Sequence, residues 1–424
     1  MFERFNSILK PLDKFIIIAF FCSFVNSFAA TAFCILLLIY IQYGVEGEVK
    51  ILLWITFRGV LSSAVADGIG DSRIKLLILI LISLVIVITP NSDEQSWKVT
   101  SIMGSAFLFG VVVSICSLGV SSYPITACFK IISFLLPFCA IIKGISISRL
   151  YCKWADYLCT IMTLLMVISF CMIPFGRFRI VNNDVQGMFN HVNTLGVMCA
   201  IYISFLLKSD IFKNKYKVIM IVGTLILAYF SASRTGLLSC ILILMLYYTI
   251  YNSKMALLVI PLLVLYFLST INSPYVSGDF FTNSIHEFMW KNSTDSILDS
   301  RMEIVEDAMQ RFDNHKITGT GFMVPYIEGI KDSSLKYDLV VEPGNLVSML
   351  LGDTGVIGII LFLLLILSVF RYGRIDRLYL FLGAFITNMG EMAFFSSNNY
   401  SILFYCLLAI YIFDDVENTK DDYA

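Results

Sequence analysis

The chain of 424 residues is 58% hydrophobic and only 14% charged, with a mean hydropathy of +0.83. A soluble protein carries about 25% charged residues, so this composition excludes a water-soluble globule and requires that much of the surface faces lipid. The 30 lysines and arginines balance 31 acidic residues to a net charge of -1, which leaves no electrostatic footprint for a nucleic acid partner.

The 11 cysteines and 3 histidines show neither a disulfide framework nor a metal site. The cysteines lie almost entirely within apolar runs and form no CxxC pair, which is typical of small buried hydrophobic side chains. His191, His286 and His315 lack the spacing of metal ligands. The sequence therefore predicts chemistry that uses no bound metal and no cofactor.

Apolar stretches long enough to cross a membrane recur along the chain. A helical span needs about 20 such residues, and about 12–14 stretches qualify, which predicts an all-α polytopic integral membrane protein. The stretches are residues 15–43, 51–66, 74–90, 102–120, 125–142, 155–173, 192–207, 218–230, 236–251, 255–270, 346–370, 378–393 and 400–413. The first has Asn26 and Ser27 near its middle, so it is either a hairpin of two short helices or one long tilted helix.

Lysine and arginine residues are concentrated in alternate connections, and such connections favour the cytoplasmic side. The basic residues that orient the chain in this way are Lys143, Arg149, Lys153, Lys208, Lys213, Lys215, Lys217, Lys254, Arg371, Arg374 and Arg377. Residues 271–345 then face the other side. The basic N-terminus also belongs inside, which requires one span more or fewer than the stretches counted above.

These patterns divide the chain into five segments. They are N-terminal transmembrane helices (1–184), transmembrane helices with a Ser-x-Ser-Arg motif (185–270), a large polar loop (271–345), C-terminal transmembrane helices (346–413) and an acidic cytoplasmic tail (414–424). Within the loop, Ser300 and Glu303 have the spacing of a capping box, and the apolar residues that follow recur at helical period. The loop is therefore predicted to hold an amphipathic helix over residues 301–312.

Arg234 interrupts an apolar stretch at the outer end of a span, in the run Ser-Ala-Ser-Arg-Thr-Gly. Charged residues at membrane depth are functional candidates because hydrocarbon penalises them by about 2.5–3.5 kcal/mol. A guanidinium beside the Ser233 hydroxyl and nearby backbone N–H groups suits phosphate oxygens. The alternative is an interfacial arginine that extends to the lipid headgroups.

Arg301 stands in the first turn of the predicted amphipathic helix. The positive end of the helix dipole together with a guanidinium favours an anion. The alternative is an exposed arginine that pairs with Glu303 or Asp299.

The entry into the span that follows the loop carries two carboxyl groups. Glu342 at the outer rim is a candidate base, and Asp353, roughly two turns inside the span, needs a cation or a wet cavity. Alternatives are a helix N-cap for Asn345 and a tie between two helices for Asp353.

His191 and Asn193 mark the outer start of an earlier span, as a candidate ligand pair for a substrate. The alternative treats Asn193 as the helix cap and His191 as a hydrogen-bonded interfacial group. Asn388 and Glu391, near the end of the penultimate span, are expected to hold helices together.

The order of short motifs resembles that of the bacterial O-antigen ligase/polymerase family of membrane glycosyltransferases. The motifs are Asn193-x-Leu195-Gly196, Ser231-x-Ser233-Arg234, Ser300-Arg301, Gly319-Thr320-Gly321-Phe322, Pro343-Gly344-Asn345 and Asp353-x-Gly355-x-x-Gly358. The resemblance covers about residues 185–360 and implies a GT-C-like architecture with one large periplasmic loop.

The resemblance further implies a multi-pass enzyme of the bacterial inner membrane with a periplasmic active face. It would transfer a glycan from undecaprenyl pyrophosphate to an acceptor and would need no metal. Its further partners would be membrane lipid and a chain-length regulator. By position, Arg234 and Arg301 match the arginines that hold the lipid-linked pyrophosphate, with Ser233, His191, Asn193 and Asn345 as further substrate ligands.

The ligases of this family carry His-Asn where this chain has Gly344-Asn345. That difference removes the usual candidate base and leaves Glu342 as the preferred catalytic group, ahead of His191 and His315. It favours a polymerase, which elongates the lipid-linked chain, over a ligase, which hands the glycan to lipid A core. A flippase of lipid-linked glycan is an alternative of another class, but the chain shows no two related halves.

Overall fold

The computed structural model describes residues 8–62, 65, 72–91, 95–174, 184–251, 299–336, 346–390, 392–396 and 400–413. Over these ranges the fold is helical and without β-strands, which confirms the prediction of an all-α polytopic membrane protein. The helices are α1 Pro11–Cys22, α2 Ser27–Leu36, α3 Val45–Gly59, α4 Ser72–Ile88, α5 Ser96–Val120, α6 Pro124–Ser148, α7 Trp154–Cys171, α8 Val192–Lys208, α9 Asn214–Phe230, α10 Arg234–Tyr251, α11 Asp299–Asn314, α12 Leu346–Tyr372, α13 Leu378–Ile386 and α14 Ser401–Ile412.

Five of these helices, α5, α6, α7, α10 and α12, are long and apolar enough to cross a bilayer. Large apolar side chains cover the outside of the bundle, as on α5, where Val111 and Ile115 are 56% and 65% exposed. Exposed apolar surface of this extent needs lipid around it. The chain is therefore a multi-pass membrane protein, and the predicted span at residues 255–270 lies outside the described residues.

The first predicted span is a hairpin of two short helices. The turn between α1 and α2 ends at Asn26, whose side chain accepts a hydrogen bond from the Ala29 backbone N–H at 2.7 Å and caps α2. A 3₁₀ segment, Leu37–Tyr43, completes the return. The hairpin adds the span that the positive-inside count lacked, so Lys10 and Lys14 lie on the same side as the other basic connections.

A buried network of charged residues closes this hairpin against α3. The Lys50 ammonium lies 3.0 Å from both Asp13 carboxylate oxygens and 3.0 Å from Glu46, and Tyr40 donates to Asp13 at 2.7 Å. Lys10 pairs with the other Glu46 oxygen at 2.6 Å. Because these charges compensate one another, α3 begins at Val45 and not at residue 51, where the apolar stretch starts.

The segment at residues 184–191 defines one end of the bundle, called here the outer end. The Asn190 N–H donates to Val60 at the end of α3, and the Val185 N–H donates to Phe230 at the end of α9, both at 2.9 Å. The basic connection between α8 and α9 therefore lies at the opposite, inner end. Helices α8 and α10 both start at the outer end and run parallel.

Candidate functional site

The start of α8 packs directly on the start of α10 through two glycines. A methyl group on Gly196 would lie 2.4 Å from the Ser233 Cβ, and one on Gly236 would lie 2.5 Å from the Gly196 Cα. The Asn193-x-Leu195-Gly196 and Ser231-x-Ser233-Arg234 motifs are therefore in contact. The glycines are needed because only hydrogen fits between the two backbones.

His191, and not Asn193 as the sequence suggested, is the N-cap of α8. The His191 Nδ1 accepts a hydrogen bond from the Asn193 backbone N–H at 3.1 Å. While Nδ1 accepts, the ring proton of a neutral imidazole is on Nε2, so the exposed edge of the ring is a donor. This arrangement suits His191 to binding an anionic or hydroxyl group better than to removing a proton.

Two buried serines shape the start of α10. The Ser231 hydroxyl donates to the Ala228 carbonyl at 2.7 Å and accepts from the Ser233 N–H at 3.3 Å, and the Ser233 hydroxyl accepts from the Gly236 N–H at 3.3 Å. Between them Ala232 has φ of 50°, in the left-handed region. Ser233 therefore caps α10, and a substrate contact by this residue stays a prediction.

Arg234 is the first residue of α10 and is half-buried. The positive ends of two parallel helix dipoles meet beside it, because α8 and α10 start next to each other. Such helix starts together with a guanidinium form a site that attracts phosphate. The site lies at the outer end of the bundle, away from the basic connections.

A break after α13 approaches this site from a third element. A methyl group on Gly390 would lie 2.0 Å from the Thr235 Cγ2, so the broken chain touches the first turn of α10. Asn388 holds the break, since its Oδ1 accepts from the Ala393 and Phe394 N–H groups at 2.8 Å. The predicted span at residues 378–393 is thus shorter than expected, and Asn388 holds this local break instead of tying two helices together.

Helix α12 is discontinuous, and a turn of the polar loop fills the interruption. Gly355 has φ 61° and ψ -164°, which no helix contains. Thr320 and Gly321 donate to the Gly352 and Asp353 carbonyls at 3.1 and 3.0 Å. The Gly319-Thr320-Gly321 motif therefore completes the hydrogen bonding of the helix that the Asp353-x-Gly355 motif interrupts.

A buried ion pair connects the break in α12 to helix α11. Arg311 contacts the Asp353 Oδ1 through its Nη1, and the Met323 backbone N–H donates to the Asp353 Oδ2 at 2.8 Å. Asp353 is 1% exposed, so its charge requires these partners. The expectation that Asp353 finds a cation is confirmed, as is its role as a tie between helices.

Helices α5 and α6 hold the same turn from the other side. Lys130 of α6 donates to the Met323 carbonyl at 2.5 Å, and the Phe322 N–H donates to the Ser117 hydroxyl of α5 at 3.3 Å. The Phe322 ring packs edge-on against Phe395 with centroids 5.2 Å apart. The turn at residues 315–323 is thus anchored in the membrane bundle itself.

The chain beyond the turn lies over the connection between α5 and α6. Ser122 donates to the Ile327 carbonyl and accepts from the Ile327 N–H, both at 2.9 Å. Farther on, donation from the Lys336 side chain and the Ser334 backbone N–H lowers the pKa of the Asp332 carboxyl. Residues 315–336 therefore form an ordered cover on this part of the outer end.

The other residues singled out in the sequence lie in α11, in the turn after it, or outside the described residues. The amphipathic helix is present as α11, but Ser300 lies inside it and is not its cap. Arg301 is in this helix, seven residues before the buried Ala308. His315 lies 3.2 Å from the Tyr326 hydroxyl through its Nε2. Glu342, Asn345 and Glu391 lie outside the described residues.

Sequence reasoning missed Arg311 and Lys130. The signal for Arg311 was available, because it follows Ala308 by three residues and so lies on the apolar face of an amphipathic helix. Lys130 gave a similar signal, as a lone cation inside an apolar span. Within the described ranges, no group of three or more His, Cys, Asp or Glu residues could hold a metal ion.

Residues 219–363 match the family described as O-antigen ligase. They comprise most of α9, all of α10 and α11, and α12 from its start at Leu346 through the break to Leu363. This part of the chain is therefore similar to the O-antigen ligase/polymerase family. No curated protein matches the chain.

The match indicates a membrane enzyme of the glycosyltransferase type. The matched range contains Arg234, Arg301, Arg311 and Asp353. Gly196 and Lys130 precede this range, but Gly196 packs on Ser233 and Lys130 donates to the Met323 carbonyl. The matched range therefore packs against residues from outside it.

Proposed function

We propose that this protein is the polymerase of a bacterial surface polysaccharide of the O-antigen type. It transfers the glycan of an undecaprenyl-pyrophosphate donor onto a new lipid-linked repeat unit at the periplasmic face of the inner membrane. The observation that carries the proposal is the meeting of α8 and α10 at Gly196 and Gly236, which places Arg234 beside two helix starts at the outer end.

The chemistry is displacement at the anomeric carbon of the donor. A hydroxyl oxygen of the acceptor sugar forms the new bond to this carbon, the bond to the phosphate oxygen breaks, and the acceptor proton passes to a base. Undecaprenyl pyrophosphate leaves with the negative charge. Arg234 and Arg301 stabilise that charge as it develops, which is the largest contribution a site of this kind can make.

Glu342 is the proposed base. The capping bond at His191 Nδ1 and the contact between His315 and Tyr326 both support a carboxylate over either imidazole. Glu342→Gln keeps the size of the side chain and removes its basicity, so it should lower kcat by about 10²–10⁴-fold with little change in donor binding. Glu328→Gln, on an exposed part of the same loop, is the matched control, and full activity of Glu342→Gln would remove the proposed base.

The decisive experiment uses purified full-length protein with undecaprenyl-pyrophosphate repeat units and no added metal. Longer lipid-linked chains are expected from the wild type and not from Arg234→Ala or Arg301→Ala. Arg374→Ala is the control, because Arg374 is 52% exposed, lies at the inner end and pairs with Asp376. A fully active Arg234→Lys would contradict bidentate phosphate binding.

Polymerase and ligase are separated by the lipopolysaccharide of a deletion strain. The replacement of His-Asn by Gly344-Asn345 favours the polymerase, for which core bearing a single repeat unit is expected. Bare core would indicate the ligase. A normal ladder would contradict both functions.

A further inference from the structure

We propose that Arg311 and Asp353 are positioning residues of this enzyme. Their ion pair holds the turn at residues 315–323 in the break of α12 and so fixes α11, which carries Arg301, against the membrane bundle. The proposal rests on the proposed function, because the group it positions is the arginine proposed to stabilise the charge that develops on the leaving group.

The ion pair between Arg311 and Asp353 is buried and rigid. Asp353 is 1% exposed and the Arg311 side chain 9% exposed, and both Asp353 oxygens have partners in Arg311 and the Met323 N–H. On its other side the Arg311 Nε lies 3.0 Å from Asp307, which is 64% exposed at the rim. A buried pair with every acceptor used has one geometry, and removal of either partner leaves an uncompensated charge.

The backbone around the pair leaves little freedom for the turn. Val356 and Ile357 donate to the carbonyls of Lys316 and Ile317 at 2.9 and 3.2 Å, so two N–H groups at the start of the second half of α12 are bonded to the turn. The break is therefore a joint between the two segments. A methyl group on Gly319 would lie 2.3 Å from the Asp353 carbonyl, which shows how closely they pack.

The joint fixes the position of α11 because the turn at residues 315–323 follows this helix directly. The N–H of His315 still donates to the Arg311 carbonyl at 3.1 Å, so the last turn of α11 continues into the docked segment. Arg301 precedes Arg311 by ten residues, or about 15 Å along the helix axis. A shift of the joint is thereby carried to Arg301, and a displacement of about 1 Å at a reacting centre can lower a rate by about 10²-fold.

The test compares Arg311→Met with the double variant Arg311→Met/Asp353→Asn. The single variant should lower kcat at least tenfold, with donor KM changed less than about threefold, and should lower the unfolding temperature. The double variant removes the uncompensated charge, so it should regain the unfolding temperature but not kcat. Arg311→Lys, which keeps the charge, should restore part of kcat.

Two control variants change neighbouring carboxylates. Asp307→Asn removes the exposed partner of Arg311, and Asp313→Asn removes the exposed pair with Lys316, in which both side chains are more than half exposed. Both should keep kcat within about twofold. Recovery of both kcat and unfolding temperature in the double variant would show a purely structural pair and overturn the proposal.

Hydrogen exchange supplies a readout that does not depend on turnover. The Thr320 and Gly321 amides, which donate into the break, should exchange at least tenfold faster in the double variant than in the wild type. Unchanged exchange overturns the positioning role. A wild type that elongates no chains contradicts the proposed function instead, so the two failures are distinguishable.

Discussion

Gly236 faces Gly196 across the contact between α10 and α8 so closely that a methyl group on it would lie 2.5 Å from the Gly196 Cα. Gly236→Ala should therefore separate the two helix starts, destabilise the protein by about 1–3 kcal/mol and lower its activity. Gly223→Ala on α9 is the control, because nothing lies within 4 Å of the added methyl group. Unfolding temperatures in detergent and polymer yields check both, and equal behaviour of the two variants would contradict the close contact.

Gly355→Ala should disrupt the joint in α12. The added methyl group would lie 2.6 Å from the Ile317 carbonyl and from the Gly319 nitrogen, at a φ of 61° and ψ of -164° that only glycine adopts readily. The matched control is Gly329→Ala, which has φ of 76° but no atom within 4 Å. The control should lose about 1 kcal/mol of stability and keep activity, whereas Gly355→Ala should lose both.

Lys50→Met should be among the most damaging changes far from the outer end. It leaves Asp13, which is fully buried, without its cation, and the expected loss is about 3–5 kcal/mol of stability. Lys10→Met should lose much less, because the Lys10 side chain is 37% exposed. Thermal unfolding of the purified variants measures the difference, and equal losses would argue against the buried network.

Asn388→Ala should release the break that follows α13. It removes one acceptor shared by the Ala393 and Phe394 N–H groups and leaves these buried donors unpaired, at about 1–3 kcal/mol each. Asn314→Ala, at the exposed end of α11, should change little. Because Gly390 contacts Thr235, the Asn388 variant should also lose polymer formation, and unaffected synthesis would separate this break from the Arg234 site.

The transmembrane helices were predictable from the length of the apolar stretches and from the positive-inside pattern. The predicted helix boundaries are wrong where charged residues pair with one another inside the bundle. Residue 51 looked like the start of a span because Glu46 and Lys50 precede it, yet the pairing of Lys50 with Asp13 and Glu46 allows both residues to lie inside α3. A hydropathy scale assigns each residue its own preference for lipid over water. It takes no account of an ion pair with a residue that is distant in sequence.

The sequence shows the polar residues of the candidate site but not how they are arranged. The motif that contains Arg234 and the later motif that contains Asp353 are both visible as polar interruptions of apolar runs. The sequence around Gly319 does not show that this residue fills the break at Gly355. The fit depends on backbone hydrogen bonds between residues 316–321 and residues 352–357. The pairing of Arg311 with Asp353 was not predictable, because the two residues lie on different segments.

The Asp13–Lys50 contact has a consequence for biosynthesis. Asp13 leaves the ribosome 37 residues before Lys50, so the Asp13 carboxylate reaches the membrane before its cation has emerged. Stable insertion of the hairpin therefore waits for α3. A nascent chain truncated at Gly44 should be recovered from the membrane fraction less efficiently than one truncated at Gly59, and equal recovery would show that the hairpin inserts unaided.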